Sequence, residues 1–159
     1  MQKQQQYKKW YGTTQILLGV LFLFYGCVIY LLFRSKTLYI YRWCLSLGIS
    51  DYIDYCRYLV KDYPISDFIR FCLPDGLYCA AYILFIDAIW RNDNKYIKYS
   101  LLSFVPIITI SSEVLQYFNA VPGTFDIVDL ICYMIPPLMY IGICFINKLK
   151  FNNFKIKNL

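Results

Sequence analysis

The chain has 159 residues, of which 59% are hydrophobic and only 16% are charged. A soluble domain has about 45–50% apolar and about 25% charged residues, so this composition predicts a protein with much of its surface in lipid. The net charge of +6 comes from basic residues at the edges of apolar runs, which is typical of membrane proteins and argues against nucleic-acid binding. No histidine is present, which excludes Ser-His-Asp and Cys-His nucleophiles and histidine-ligated zinc.

Four segments have the apolar character of membrane spans. The first run, residues 16–33, and the last run, residues 130–147, are each 18 residues long without a charge, enough to cross a bilayer. The two segments between them contain acidic residues, Asp87 in one and Glu113 in the other. We predict an all-α fold, a single membrane domain of about four transmembrane helices. The predicted spans are residues 14–33, 73–90, 99–118 and 127–147.

The long connection after the first span contains a predicted amphipathic helix over residues 50–63. Its apolar side recurs at the i, i+3, i+4 and i+7 spacing of one helix face. These residues are Ile49, Tyr52, Ile53, Cys56, Leu59, Val60 and Tyr63. Ser50 is the expected N-cap and Pro64 the expected stop. The charges on the other face nearly cancel, so we expect this helix to lie flat on the bilayer or to cap the bundle.

The seven cysteines form no C-x-x-C pair, and their number is odd. Four of them lie in apolar runs, where a thiol usually packs as a small side chain. Cys44, Cys56 and Cys72 share one connection and can form a disulfide if that connection is outside the cell. Their spacing leaves this open.

The distribution of basic residues predicts the orientation. With the N-terminus inside, ten of the sixteen basic residues lie in short cytoplasmic segments. They are Lys3, Lys8, Lys9, Arg91, Lys95, Lys98, Lys148, Lys150, Lys155 and Lys157. The other six lie in the long first connection, whose charge has less influence on topology. We therefore predict that both termini are cytoplasmic.

This topology brings five polar side chains to the outer face of the bundle as candidate ligand-binding residues. They are Asp75, Glu113, Gln116, Asp126 and Asp129. The three aspartates lie in the first turns of helices, where a carboxylate can also cap free N–H groups. We predict that Asp126 or Asp129 caps the last span.

Glu113 lies near the end of its predicted helix, where no capping role explains it. A charged side chain costs roughly 2.5–3.5 kcal/mol at the bilayer centre and less near the edge, so it needs a partner, a proton or a ligand. We therefore predict that Glu113 is the functional centre, with the other four polar side chains as its neighbours. Arg70, the nearest basic residue before the second span, is the predicted counter-ion of this acidic group. Asp87 is expected to pair with Arg91 at i+4, and Asp87→Asn to affect activity much less than Glu113→Gln.

Part of the chain resembles a known family. The sequence Glu113-Val-Leu-Gln116, the turn Pro122-Gly123, and Asp126-Ile-Val-Asp129 resemble the second half of VanZ-like membrane proteins. The arginine that this family carries in the turn is absent, with Thr124 nearest to its position. The resemblance implies a role in the bacterial cell envelope, in the family's best-known case tolerance to a glycopeptide antibiotic.

Three functions remain open at the level of sequence. The first is a non-enzymatic envelope protein of the bacterial cytoplasmic membrane, which binds a lipid head group, a glycan or glycolipid, or a cation. The second is a membrane enzyme that acts on a lipid-linked substrate with carboxylates and a hard divalent cation. The third is an accessory subunit with a membrane-protein partner. The lack of a nucleophile beside a base argues against the second function, a membrane enzyme. We assign no catalytic residue, and a divalent cation is the one cofactor that we consider.

Overall fold

The computed structural model describes residues 2–91 and 94–157, and the side chains of residues 10–91 and 94–149. Its helices are α1 (Gln2–Phe33), α2 (Tyr39–Ser46), α3 (Ser50–Val60), a π-helix (Phe68–Cys72), α4 (Leu73–Ile89), α5 (Lys95–Tyr117) and α6 (Ile127–Lys157). These described residues include no strand, so the predicted all-α class is confirmed. Of the lysines that predict the orientation, the side chains of Lys3, Lys8, Lys9, Lys150, Lys155 and Lys157 lie outside the described residues.

Four helical segments are long and apolar enough to cross a membrane, so the chain is a multi-pass membrane protein. They are Trp10–Phe33, Phe68–Ile89, Lys95–Tyr117 and Ile127–Leu149. The second begins earlier than predicted because the π-helix runs directly into α4. The third also begins earlier, because the side chain of Asn94 caps α5 by accepting a hydrogen bond from the Tyr96 N–H at 2.9 Å.

Helix α4 lies at the centre of the bundle and packs against α1, α5 and α6. Glycines on α1 recur every seven residues on the side that faces α4. A Cβ atom at Gly19 would lie 2.9 Å from Cε1 of Phe85, and one at Gly26 would lie 2.8 Å from Cε1 of Tyr78. The two helices therefore approach more closely than a larger side chain on α1 allows, as is common between helices in membranes.

On its other side, α4 forms a small buried core with α5. Cys79 and Ile83 of α4 pack with Leu102 of α5, and Tyr133 of α6 packs against this cluster. The hydroxyl of Tyr82 donates a hydrogen bond to the carbonyl of Leu101 at 2.6 Å, which joins α4 to α5.

Helix α3 is attached to the end of α1 by its polar side. Arg57 donates hydrogen bonds to the carbonyls of Leu31, at 2.6 Å, and Arg34, and so satisfies carbonyls that the end of α1 leaves free. Asp54 accepts hydrogen bonds from Lys36 at 2.7 Å and Tyr41 at 2.9 Å. The bond from Lys36 holds the pKa of Asp54 below its ordinary value of 3.8, so this contact is present at neutral pH and lost only as acid protonates Asp54.

The ends of α3 differ from the sequence prediction. Ser50 is the first helical residue rather than the N-cap, and no side chain caps this helix. The helix ends at Val60, before Pro64, because the chain already turns at Lys61 and Asp62. The predicted apolar face stays largely exposed, with Tyr52 75% exposed and Tyr63 70% exposed.

All seven cysteines are free. Cys44 and Cys72 are buried in different places and Cys56 is exposed, so no disulfide links the three cysteines of the long connection.

Candidate functional site

Four carboxyl groups lie together at one end of the bundle, which we call the acidic end. Here α4 and α6 begin, with Asp75 on α4 and Asp126 and Asp129 at the start of α6, while α5 ends and contributes Glu113. The three aspartates all interact electrostatically with Glu113. The structure thus brings together the four acidic members of the group that the sequence singles out.

Asp126 caps α6. Its Oδ1 accepts a hydrogen bond from the N–H of Val128 at 2.8 Å, and its carbonyl accepts one from the N–H of Leu130 at 3.1 Å. This geometry is that of a helix N-cap, so the predicted capping role is confirmed for Asp126. The cap uses one of its two carboxylate oxygens.

Glu113 is buried, with only 7% of its surface exposed. Its Oε2 accepts a hydrogen bond from the backbone N–H of Asp126 at 3.4 Å, which is long for such a bond. This contact ties the last turns of α5 to the start of α6. A buried carboxylate with one weak donor is poorly satisfied, since hydrogen bonds to charged groups are normally shorter and stronger.

Asp129 lies beside Cys72, the last residue of the π-helix. The sulfur of Cys72 and one carboxylate oxygen each from Asp126 and Asp129 all lie within 4.8 Å of one another. Oδ1 of Asp129 is buried and has no hydrogen-bond partner among the described residues. Donor atoms at these separations can approach one cation, with Asp126 supplying an exposed, Asp129 a half-buried and Cys72 a buried ligand.

The sequence does not predict Cys72 at this site. Because the second span is predicted to begin at residue 73, Cys72 belongs with the cysteines of the long connection. The π-helix extends the helical segment back to Phe68 and so puts Cys72 one turn before Asp75, the acidic residue at the start of α4. π-Helical turns are rare and often lie at functional sites, but this sequence carries no signal for one.

The counter-ion of Asp75 is Arg34, which corrects the prediction for Arg70. The Arg34 guanidinium lies 3.6 Å from Asp75 and also donates a hydrogen bond to the carbonyl of Phe71 at 3.0 Å. The hydroxyl of Tyr30 donates to Asp75 at 3.1 Å. Arg70 pairs with no carboxylate that the structure describes. Arg34 is the counter-ion of Asp75 because the close packing of α1 on α4 puts the end of α1 beside the start of α4.

Gln116 packs on the turn before α6. A Cβ atom at Gly123 would lie 2.7 Å from Cδ of Gln116, so the side chain packs directly on this turn. Gly123 has φ of +140°, a conformation that side chains disfavour.

At the other end of the bundle, Asp87 joins all four spans. It is 8% exposed and accepts hydrogen bonds from Gln15 of α1 at 2.7 Å and Tyr140 of α6 at 2.7 Å. Lys98 of α5 lies 2.5 Å from it, and Arg91 lies 3.7 Å away. The predicted Asp87–Arg91 ion pair is confirmed, but it is one part of a larger network, in which Arg91 also donates a hydrogen bond to Gln15.

No family model, no curated protein and no solved structure matches this chain.

Proposed function

We propose that this chain is a VanZ-like protein of the bacterial cytoplasmic membrane with a role in the cell envelope, and that its acidic end binds a divalent cation. The observation that carries the proposal is the approach of Cys72, Asp126 and Asp129 to within 4.8 Å of one another. The envelope role rests on the resemblance over residues 113–129, and a glycan or glycolipid of the cell envelope is the proposed physiological partner.

Electrostatics favour a cation over a neutral or anionic ligand. Asp75, Asp126 and Asp129 lie close enough to Glu113 to interact with its charge. Within the described residues, Arg34 is the only basic side chain paired with any of these four carboxylates. Carboxylates in a partly dehydrated space repel one another, and a bound cation relieves that repulsion. The oxygen ligands suit Mg²⁺, Ca²⁺ or Mn²⁺, and the thiol of Cys72 extends the set to Zn²⁺.

The test of the cation site targets Asp129, whose Oδ1 is buried and has no hydrogen-bond partner among the described residues. Mn²⁺ binding to the full chain in lipid nanodiscs can be measured by electron paramagnetic resonance. We expect Asp129→Asn to weaken binding about tenfold or more, because the neutral amide replaces a charged ligand. Glu113→Gln should also weaken Mn²⁺ binding, because it removes negative charge from the site.

Asp51→Asn is the matched control, because Asp51 is an exposed acid in the first turn of α3 and is not one of the residues of the cation site. It should bind Mn²⁺ like the wild-type protein. Equal Mn²⁺ binding by wild type and Asp129→Asn, with both folded, would contradict the cation site.

The proposed orientation places the acidic end outside the cell and both termini in the cytoplasm. It is supported by the basic residues at the opposite end of the bundle, where Arg91, Lys95, Lys98 and Lys148 lie next to the spans. An outward-facing acidic end would meet the envelope components that the resemblance implies.

A further inference from the structure

A pocket lined mainly by basic side chains, opposite in charge to the acidic end, lies between the end of α1, the end of α3 and the π-helix. Its volume is about 410 Å³. Five of the side chains that line it are basic and one, Asp54, is acidic. The basic ones are Arg34, Lys36, Arg57, Lys61 and Arg70, and we call this the basic pocket.

Three of the five cations have partners within the protein. Lys36 pairs with Asp54 at 2.7 Å, and Arg34 pairs with Asp75 at 3.6 Å. Arg57 donates to backbone carbonyls at the end of α1, and it shares the negative charge of Asp54 with Lys36. The pocket therefore keeps an excess of positive charge after its internal contacts are made.

Arg70 and Lys61 pair with no carboxylate among the described residues. Lys61 lies over the ring of Tyr58, 4.3 Å from its centroid, and the guanidinium of Arg70 lies 5.8 Å from the centroid of Phe71. The Nε atoms of Arg70 and Arg34 are buried and have no hydrogen-bond acceptor within the described chain. A buried N–H group without an acceptor is costly, so an acceptor from a ligand would stabilise this arrangement.

The position of the pocket indicates where its ligand comes from. Phe33, which lines the pocket, is the last residue of the first span, so the pocket lies at the level where that span leaves the hydrocarbon. Exposed tyrosines such as Tyr58 and Tyr63 border it, and exposed tyrosine is typical of the membrane–water interface. Lipid phosphates lie at this depth, and soluble phosphate compounds can also reach it.

From these observations we propose that the basic pocket binds the phosphate group of an anionic ligand through Arg70 and Lys61. The planar guanidinium of Arg70 can donate two parallel hydrogen bonds to phosphate oxygens, and Lys61 supplies a mobile point charge. The proposed ligands, Arg70 and Lys61, are different from those of the cation site, although Arg34 lines the basic pocket and also pairs with Asp75 at the acidic end.

The test has one arm for each source of phosphate. In the lipid arm, native mass spectrometry compares retention of phosphatidylglycerol and phosphatidylcholine by the full chain, because the choline cation is repelled by a basic pocket. In the soluble arm, the melting temperature in detergent is measured with inorganic phosphate and with chloride at matched ionic strength. A preference in the lipid arm identifies a lipid, and stabilisation in the soluble arm identifies a soluble phosphate.

We expect Arg70→Gln to weaken the observed binding about tenfold, since it removes one charge-assisted contact. Arg42→Gln is the control, because it removes the same charge from α2, outside the lining of the pocket. If Arg70→Gln does not fold, Lys61→Gln replaces it, because Lys61 is exposed. The proposal is overturned if neither arm shows a preference, or if Arg42→Gln loses as much binding as the pocket variants.

Discussion

At the scale of single residues, Asp87 has a larger structural role than its sequence suggests. The sequence places it four positions before Arg91, which predicts a simple ion pair near the membrane edge. In the structure, Gln15, Lys98 and Tyr140 join this pair from three other helices. A buried carboxylate with this many donors is well satisfied. Removing its charge would take away the carboxylate with which Lys98 and Arg91 form ion pairs.

Asp87→Asn is therefore expected to lower the stability of the bundle. Breaking a buried ion pair by removing one partner costs about 3–5 kcal/mol, and we expect about 2–3 kcal/mol here because the amide keeps part of the hydrogen bonding. Thermal unfolding in detergent measures the loss, with Asp51→Asn on the exposed side of α3 as the control. Identical melting of the two variants would show that the network contributes nothing to stability.

At the scale of elements, the packing of α1 on α4 depends on small residues. Gly19 and Gly26 let the ring of Phe85 and the ring of Tyr78 lie directly on the α1 backbone. Lipid supplies little hydrophobic driving force between helices, so close contact and dispersion hold them together. The same packing brings Arg34 to Asp75.

Gly26→Leu should force α1 away from α4. Overpacking a close contact costs typically about 1–3 kcal/mol, so we expect a lower melting temperature and a weaker Arg34–Asp75 contact. Gly142→Leu is the control, because a Cβ atom at that position would have no contact within 4 Å beyond its own stretch of helix, among the described residues. If both leucine variants melt at the wild-type temperature, the α1–α4 contact is looser than the structure indicates.

At the scale of the whole molecule, four crossings place the start of α1 and the end of α6 on the same side of the membrane. The basic residues predict that this side is the cytoplasm. Reporter fusions after residue 150 and within residues 34–72 test this directly. A C-terminal reporter that is active only outside the cell would invert the orientation, and the acidic end and the basic pocket would then face the cytoplasm.

The four spans and part of the acidic end can be predicted from the sequence alone. Long apolar runs can be recognised locally because each helix satisfies its own backbone hydrogen bonds in lipid. Glu113 and Asp126 are joined by a short turn, so their proximity also followed from their positions along the chain.

The remaining contacts depend on how the helices pack against one another. Gln15 and Asp87 are 72 positions apart, and Tyr30 and Asp75 are 45 positions apart, so each pair meets only after α1 packs on α4. Cys72 joined Asp129 because a π-helix extended α4, and Arg34 rather than Arg70 became the counter-ion of Asp75. Side-chain partners across helices depend on the relative rotation and distance of whole helices, and packing, not local pattern, sets both.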